Sequence, residues 1–263
     1  MQVPPSIDVS GFVRHYLFLD GEGAAVHRFR LFPDGNTGIV FSASSPLTLD
    51  GRVLPDAFLY GQITEYKDIY CHGPARLFVV VVRPDGFSRL FGGAAGELKD
   101  KVVAPGDVFG REGDGLGRAV AGADGVEEMI AIVEAFFRGM VRGRSLAVNP
   151  LVAASLQLIH QYSGVIAVGQ LAEDLGCHKR QLERQFMNAV GLSPKRFCNI
   201  VRAHAFLKHL PEGERLTGYA YESGYYDQAH LIREFKQITG LTPSQYLKKT
   251  VPLAVNFLRL SEG

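Results

Sequence analysis

The segment from residue 224 to residue 247, GYYDQAHLIREFKQITGLTPSQYL, has an earlier counterpart in GCHKRQLERQFMNAVGLSPKRF, residues 176–197. Each copy opens on a glycine, continues with a leucine and a phenylalanine four residues apart, and reaches a second glycine followed by Ser-Pro or Thr-Pro. The two copies are offset by 48 or 49 residues throughout. Because residues at i and i+4 share one face of a helix, the repeat predicts two structural units of the same kind.

A helix-turn pattern precedes the apolar pair in both copies. Leu171–Ala172 lies four residues before Gly176, and Tyr219–Ala220 lies four residues before Gly224. The small alanine lets two helices approach closely, and two helices joined by a tight turn containing glycine are typical of a helix-turn-helix unit. The second helix of such a unit can lie in the DNA major groove. A plain helical bundle with solvated charged faces is the alternative, but a bundle does not need the repeat.

The outward faces of the two predicted recognition helices carry groups suited to DNA. Arginine can bond bidentately to guanine, glutamine to adenine, and small apolar groups meet the thymine methyl. The candidates from this geometry are Lys179, Arg180, Glu183, Arg184 and Met187 in the first helix, and Gln228, Ala229, Ile232, Arg233 and Lys236 in the second. A connecting helix over residues 195–209 would span ~22 Å. With the helix widths added, it can set the recognition helices about 34 Å apart, one turn of DNA.

The charge distribution also indicates that the C-terminal half of the chain is the part that binds DNA. Net charge is +1, but residues 1–145 carry 15 Lys and Arg against 18 Asp and Glu, whereas residues 146–250 carry 12 against 8. A basic half attached to an acidic half indicates that only the second meets a polyanion.

The first part of the chain reads as β structure. Apolar runs such as HRFRLF, TGIVFSA and RLFVVVV are separated by the turn signals PDGN, LDG, CHGP and RPDG, a spacing typical of a sheet or barrel. After the glycine-rich REGDGLG, a helix is expected with Asp124 near its start. Its apolar stripe is Val126, Met129, Ile130, Val133, Phe136, Phe137 and Met140.

Helical patterns fill the remainder. GRSLAVNP (143–150) is interpreted as a linker, with Asn149 as N-cap and Pro150 as the first helical residue. The expected helices cover about 150–161, 168–175, 178–190, 195–209, 216–222, 227–239 and 243–249.

The doubled pattern over residues 146–250 resembles the DNA-binding domain of the AraC/XylS family of bacterial transcription regulators. The resemblance implies a seven-helix domain with two helix-turn-helix units. Carried over by position, the base contacts fall to Arg180, Glu183 and Arg184 in the first unit and to Gln228, His230 and Arg233 in the second. The sequence departs from the family pattern at His178 and Ala167, where helix caps are usual, and at Ser223 and Leu231, where larger apolar residues are usual.

The same resemblance implies the domain organisation. Residues 1–112 form a β-rich sensory domain (a cupin-like barrel or sandwich), 113–145 a helical dimerisation segment and linker, 146–250 the DNA-binding domain, and 251–263 a C-terminal tail. The expected partners are duplex DNA at a promoter or operator, a second copy of the chain, RNA polymerase and a small effector. The alternative is a regulator whose first domain only dimerises or binds a protein partner. The effector, the operator and the sense of regulation stay open.

Other chemistry has weaker support. His15, His27, Cys71 and His72 lack the spacing of a metal site, and no cofactor motif appears.

Arg14, Arg30, Arg76 and Arg83 lie in or beside predicted strands, where an inward arginine could pair with an effector carboxylate or, more commonly, with a local acid. An enzyme transferring an alkyl group to a cysteine is the remaining class, but Cys71, Cys177 and Cys198 lie in no activating motif. The expectation is a cytoplasmic, non-enzymatic protein, nucleoid-associated when bound to DNA, without a membrane span or signal peptide.

Overall fold

The computed structural model of the chain describes residues 1–21, 26–43, 45–142, 148–210, 224–254 and 256–260. Their strands form two antiparallel six-stranded sheets. The first sheet has the order β1-β2-β9-β4-β7-β10. It contains β1 (Gln2–Val3), β2 (Val13–Gly21), β4 (Thr37–Ser42), β7 (Ala57–Tyr60), β9 (Ala75–Val82) and β10 (Val102–Val103). The second has the order β11-β12-β3-β8-β5-β6. It contains β3 (Val26–Leu31), β5 (Leu47–Leu49), β6 (Arg52–Val53), β8 (Lys67–His72), β11 (Thr250–Ala254) and β12 (Phe257–Leu260).

The two sheets pack face to face as a sandwich rather than closing into a barrel. Their shared core contains Val40 and Val79 from the first sheet and Phe29 and Ile69 from the second. The other face of the first sheet is covered by helices. Strand β9 is therefore buried on both faces, which explains why its sequence is a continuous apolar run instead of an alternating one.

Four helices come after β9 in the chain: α1 (Gly86–Phe91), α2 (Pro105–Phe109), α3 (Arg111–Ala121) and α4 (Val126–Val141). A 3-10 turn at Ala95–Leu98 and strand β10 lie between α1 and α2. The glycine-rich run REGDGLG, after which the sequence predicts a helix, itself lies inside α3. A Cβ on Gly113 would come within 2.3 Å of the Pro105 carbonyl oxygen. Glycine is required here because α3 packs directly on the preceding helix.

Helix α4 packs mainly on its own domain. Val133 and Phe137 are fully buried, and the Phe137 ring lies 5.4 Å from that of Phe12. Glu134, which the periodicity places beside the stripe, is also buried and accepts hydrogen bonds from the Ser6 amide (2.8 Å) and the Tyr16 hydroxyl (3.2 Å). The centre of the predicted dimerisation stripe is thus part of the N-terminal core.

The C-terminal helices agree with the sequence prediction to within one residue. They are α5 (Pro150–Gln161), α6 (Val168–Asp174), α7 (Lys179–Val190), α8 (Pro194–Lys208), α9 (Gln228–Thr239) and α10 (Pro243–Lys249). Asn149 caps α5 as expected, since its Oδ1 accepts from the amides of Leu151 (3.1 Å) and Val152 (3.2 Å). The helix expected at 216–222 and most of the linker lie outside the described residues.

The segment expected to be a tail instead joins the sandwich. Strands β11 and β12 form a hairpin, and β12 pairs antiparallel with β3, placing Phe257 opposite Leu31. The Phe257 ring stacks 5.2 Å from that of Phe29. Its neighbour Leu258 is fully buried in a cluster with Phe32, Ala203 and Ile238. A tail assignment is wrong because the apolar residues of the segment complete the edge of the second sheet.

Candidate nucleic-acid interface and ligand cavity

The first helix-turn-helix unit consists of α6, a turn at Gly176 and α7. Gly176 has φ = 61°, a left-handed conformation that glycine adopts without steric cost. Ala172 is buried where the two helices meet, and Leu182 and Phe186 of α7 are fully buried against them. The helix ends at Gly191, again left-handed with φ = 85°.

The second unit repeats this geometry in α9. Gly224 has φ = 72° and Gly240 has φ = 74°. Leu231 and Phe235 are fully buried, as are their counterparts one repeat earlier. The first helix of this unit, with Tyr219–Ala220, falls outside the described part of the chain. The repeat seen in the sequence is therefore a repeat of structure at the two glycines and at the buried leucine and phenylalanine of each unit.

The two positions where the sequence departs from the family's helix caps provide no side-chain cap in the structure. Neither His178 nor Ala167 offers a side-chain hydrogen bond to the first turn of its helix. In the second unit Asp227 caps α9, accepting from the His230 amide at 2.6 Å. Between the units, Ser193 caps α8 through the Arg196 amide at 3.2 Å. The second recognition helix is thus better capped than the first.

The predicted contact residues of α7 all face solvent. Lys179, Arg180, Glu183 and Arg184 are exposed, and Met187 beside them is 40% exposed. Lys179 and Glu183 approach each other at 3.9 Å, an exposed pair that contributes little to stability. No hydrogen bond or ion pair to another described residue holds Arg180 or Arg184, so both guanidinium groups are available to a ligand.

The candidates in α9 divide into two groups. Arg233 and Lys236 are exposed, whereas Gln228 and His230 are half-buried. His230 Nε2 lies 3.4 Å from Glu234 Oε1 one turn further along the helix. His230 is therefore already engaged within its own helix, and Arg233 is the more accessible candidate.

Two residues that the sequence did not single out position the second recognition helix. Arg202 of α8 donates through Nη2 to Glu234 Oε2 at 2.5 Å, and Asn199 Nδ2 donates to Glu234 Oε1 at 3.1 Å. The Arg202 guanidinium also lies 4.6 Å from the centre of the Tyr225 ring. Both charges are largely buried. A glutamate in a predicted DNA-facing helix gives no signal in sequence that it points inward.

The N-terminal domain contacts both units. Arg30 of β3 donates to Asp68 through two nitrogens at 2.7 Å and reaches the Thr239 carbonyl at the end of α9 (3.3 Å). His204 Nε2 of α8 lies 2.8 Å from the Pro33 carbonyl oxygen. Arg196 Nη2 donates to the Thr64 carbonyl. The two domains are joined by directed polar contacts as well as by the apolar cluster around Phe32.

A cavity of about 540 Å³ lies inside the sandwich, between the two sheets. Its walls are mainly apolar, with Val40, Phe58 and Val79 among them, and charged groups such as Lys67 and Lys101 line it as well. The β11–β12 segment contributes Asn256 and Phe257. A cavity of this size and character suits a small, largely apolar ligand.

The four arginines near the predicted strands do not converge on this cavity. Arg30 is paired with Asp68, Arg83 donates to the Ser10 carbonyl (2.8 Å), and Arg76 lies 3.8 Å from Asp20 at the surface. Arg14 lines a different cleft, between the sandwich and α8. The common role of such arginines, pairing with a local acid, applies to Arg30 and Arg76.

Among the described residues, the cysteines and histidines of the first domain do not form a metal-binding group. His27 and Cys71 are register partners on neighbouring strands, but His15 lies in the other sheet. Burial raises the pKa of the Cys71 thiol, and it raises that of Cys198 to about 11. Thiols in this state are poor nucleophiles. Within the described residues no helix is both long and apolar enough to cross a membrane.

Comparison with known proteins agrees with this geometry. Residues 171–249 match a helix-turn-helix domain, and residues 1–104 match a domain of unknown function (DUF6597). A probable thc operon regulatory protein of Rhodococcus erythropolis is 33% identical over 91 residues, which are 33% of this chain and 27% of that protein. A putative AraC-like transcription regulator of Streptomyces antibioticus is 28% identical over 108 residues, 40% of this chain and 35% of that protein. The chain thus spans about a third of the length of these relatives.

Among solved structures, ToxT from Vibrio cholerae aligns with 88% of this chain and 98% of its own, at 14% identity and a TM-score of 0.46. At that score the likeness supports no inference about function. The helix-turn-helix match and the regulator relatives define a chain with an AraC-type DNA-binding module. Residues 171–249 therefore resemble the DNA-binding modules of AraC-type transcription regulators, and the regulator relatives match the chain in about a third of its length.

Proposed function

We propose that the chain is a sequence-specific regulator of transcription that inserts α7 and α9 into successive major grooves of duplex DNA. The observation that carries the proposal is the structural repeat: two units with the same buried leucine and phenylalanine and with exposed arginines on the opposite face. Arg184 and Arg233 are the residues we expect to read bases, because both are exposed on that face. Lys179, Arg180 and Lys236 would add base or phosphate contacts.

The connection between the units suits this role. Helix α8 has 15 residues and is buried along much of its length, with Phe197, Ile200 and Phe206 inaccessible to solvent. A rigid helix of that length spans ~22 Å. Because α7 packs on its start and α9 is tied to it by Arg202, the two recognition helices keep a fixed separation. A fixed separation is needed for one subunit to read two grooves on one face of the duplex.

The test is selection of a DNA site by the full chain, followed by retardation assays with Arg184→Ala and Arg233→Ala. Each variant should lose ~1–3 kcal/mol of discrimination at one base position, and the two positions should be about one helical turn apart. Arg118→Ala, an exposed arginine of α3, is the matched control and should leave affinity unchanged. An equal loss on every sequence would show that these arginines contact only phosphate.

An effector that modulates this activity is a second proposal, supported by the cavity inside the sandwich. The supporting contact is β12, where Phe257 lines the cavity and the adjacent Leu258 packs on α8 and α9. A ligand that displaces Phe257 would shift β12, which pairs with β11, the strand that directly continues from α10. Ligand binding in the cavity would thereby affect the position of the second recognition helix directly, through the contact that Leu258 makes with it.

The alternative for the first domain is dimerisation or a protein partner without a ligand. An apolar fluorescent probe distinguishes the two when added to the full chain and to Val79→Phe, which narrows the cavity. Saturable binding by the full chain that is lost in the variant supports an effector site. Binding that is absent, or equal in both proteins, favours the alternative. Recruitment of RNA polymerase is a further proposal, supported by the resemblance to AraC-type regulators alone.

A further inference from the structure

A second cleft lies between the two domains, away from both the sandwich cavity and the recognition faces. Its volume is about 270 Å³. Strand β2 contributes Arg14 and His15, helix α5 contributes His160, and helix α8 contributes His204 and Lys208. The cleft therefore brings basic side chains from three elements of two domains together.

The positive charge of the cleft is only partly balanced by the protein. In the described part of the chain, neither Arg14 nor Lys208 forms an ion pair or a side-chain hydrogen bond. The carboxylate that lines the cleft, Asp34, has both oxygens occupied by Asn36: the amide donates at 2.9 Å and Nδ2 at 2.6 Å. Asp34 balances one of the two permanent positive charges, Arg14 and Lys208, so the lining keeps a net positive charge that would favour a bound anion.

His204 provides an independent indication of a missing partner. Its side chain is buried, with the whole residue only 9% exposed. Because Nε2 lies 2.8 Å from the Pro33 carbonyl oxygen, Nε2 carries the proton and donates. Nδ1 is buried and has no partner among the described residues. A buried polar atom of this kind usually has a hydrogen-bond partner when its site is complete.

Three histidines of the cleft have a pKa below the ordinary value. Burial is the main cause that lowers the pKa of His15, His160 and His204, and the positive charge of Arg14 adds to it for all three. Lys208 acts in the same direction on His160 and His204, whereas Asp34 acts in the opposite direction on His15 and His204. The charged and titratable groups that line the cleft are Arg14, His15, Asp34, His160, His204, Lys208 and His209.

We propose that this cleft binds a small oxyanion, such as inorganic phosphate or a small dicarboxylate, between Arg14 and Lys208. The volume corresponds to roughly nine water molecules, which admits an anion of that size and excludes a DNA backbone. With an anion present, protonation of His204 at Nδ1 converts an unpaired acceptor into a donor. The anion would join β2 to α8 and so bias how the first domain sits on the DNA-binding module.

The test is calorimetric titration of the full chain with phosphate, and separately with succinate, against sodium chloride of matched ionic strength. Saturable binding is expected, and for succinate, which is mainly a dianion at both values, it should be tighter at pH 6 than at pH 8. The sign follows because a bound anion favours protonated histidine, so that binding takes up protons. Comparison of the two affinities shows whether the cleft prefers inorganic phosphate or an organic dicarboxylate.

The variant Arg14→Gln, Lys208→Gln should weaken binding about tenfold or more, since charge-assisted hydrogen bonds are lost. Both side chains are exposed, so the variant should fold, and either single substitution serves if it does not. Lys99→Gln, an exposed lysine of the first domain, is the control and should bind as the wild type does. The proposal is overturned if neither anion binds saturably at either pH, or if the paired variant binds as tightly as the control.

Discussion

Replacing Arg30 by methionine tests how the first domain holds the second recognition helix. Arg30 of β3 is 5% exposed, and its guanidinium contacts the C-terminal end of α9. Although burial acts to raise the pKa of the Asp68 carboxyl, hydrogen bonds from Arg30 and Arg28 keep it below its usual value. The Arg30 guanidinium also lies 4.1 Å from the centre of the Tyr66 ring. Methionine keeps most of the side-chain volume and removes all of these polar contacts.

The expected loss follows from those contacts. Two hydrogen bonds to a charged group are worth ~1.5–3 kcal/mol each, and the contact with the ring adds ~0.5–1 kcal/mol. Relief of the desolvation of a buried arginine offsets part of this. Arg28 still pairs with Asp68 at 2.7 Å, so the carboxylate is not left alone. We expect Arg30→Met to lower the free energy of unfolding by about 2–3 kcal/mol.

Arg28→Met is the matched control, because Arg28 pairs with the same carboxylate but is 45% exposed and touches the first domain alone. Its cost should be below about 1 kcal/mol. Urea unfolding of both variants, followed by circular dichroism, measures the difference. Equal losses in the two variants would refute a special role for the contact between Arg30 and α9.

Three further predictions concern the core, the acid response and the assembly. Leu182→Ala and Phe235→Ala should each destabilise the protein by ~2–5 kcal/mol, because both side chains are fully buried; wild-type melting in either variant would mean that the faces of α7 or α9 are assigned wrongly. Stability should fall as pH drops below about 6.5, because in that range the unfolded chain protonates histidines that the folded chain keeps neutral, and the loss should level off below their lowered folded pKa values. Unfolding in the presence of excess phosphate should show a smaller acid loss if the interdomain cleft binds it. A homodimer is expected in sedimentation at tens of micromolar, and a monomer there would end the dimer proposal; Phe137 should not be changed in that test, because it is buried in its own domain.

The local elements of the C-terminal module could be predicted because each carries its signal within a few residues. The cap at Asn149, the turn at Gly176 and the pair Leu231 and Phe235 are all short-range patterns, and the structure shows each of them. The DNA-contact positions implied by the family resemblance lie on exposed or half-buried helix faces, because the short-range helical period separates these faces from the buried ones.

Long-range pairing could not be predicted in this way. The β11–β12 hairpin is stabilised by strand β3, which lies more than two hundred residues earlier in the chain. Glu234 points inward because Arg202, one helix away, supplies its partner. The stripe of α4 is wide enough for two partners, and only packing shows that Val133 and Phe137 face the chain's own sheet. In each case the deciding contact lies outside the local pattern.

The proposed insertion of two recognition helices into successive major grooves is tested most directly by guanine N7 methylation interference on a DNA site selected by the full chain. Methylation at N7 blocks contacts in the major groove. Two interfering clusters on one face of the duplex, about 10 base pairs apart, are the predicted result. Arg184→Ala should remove interference at one cluster and Arg233→Ala at the other. A single cluster, or two clusters that both respond to the same variant, would contradict the proposal.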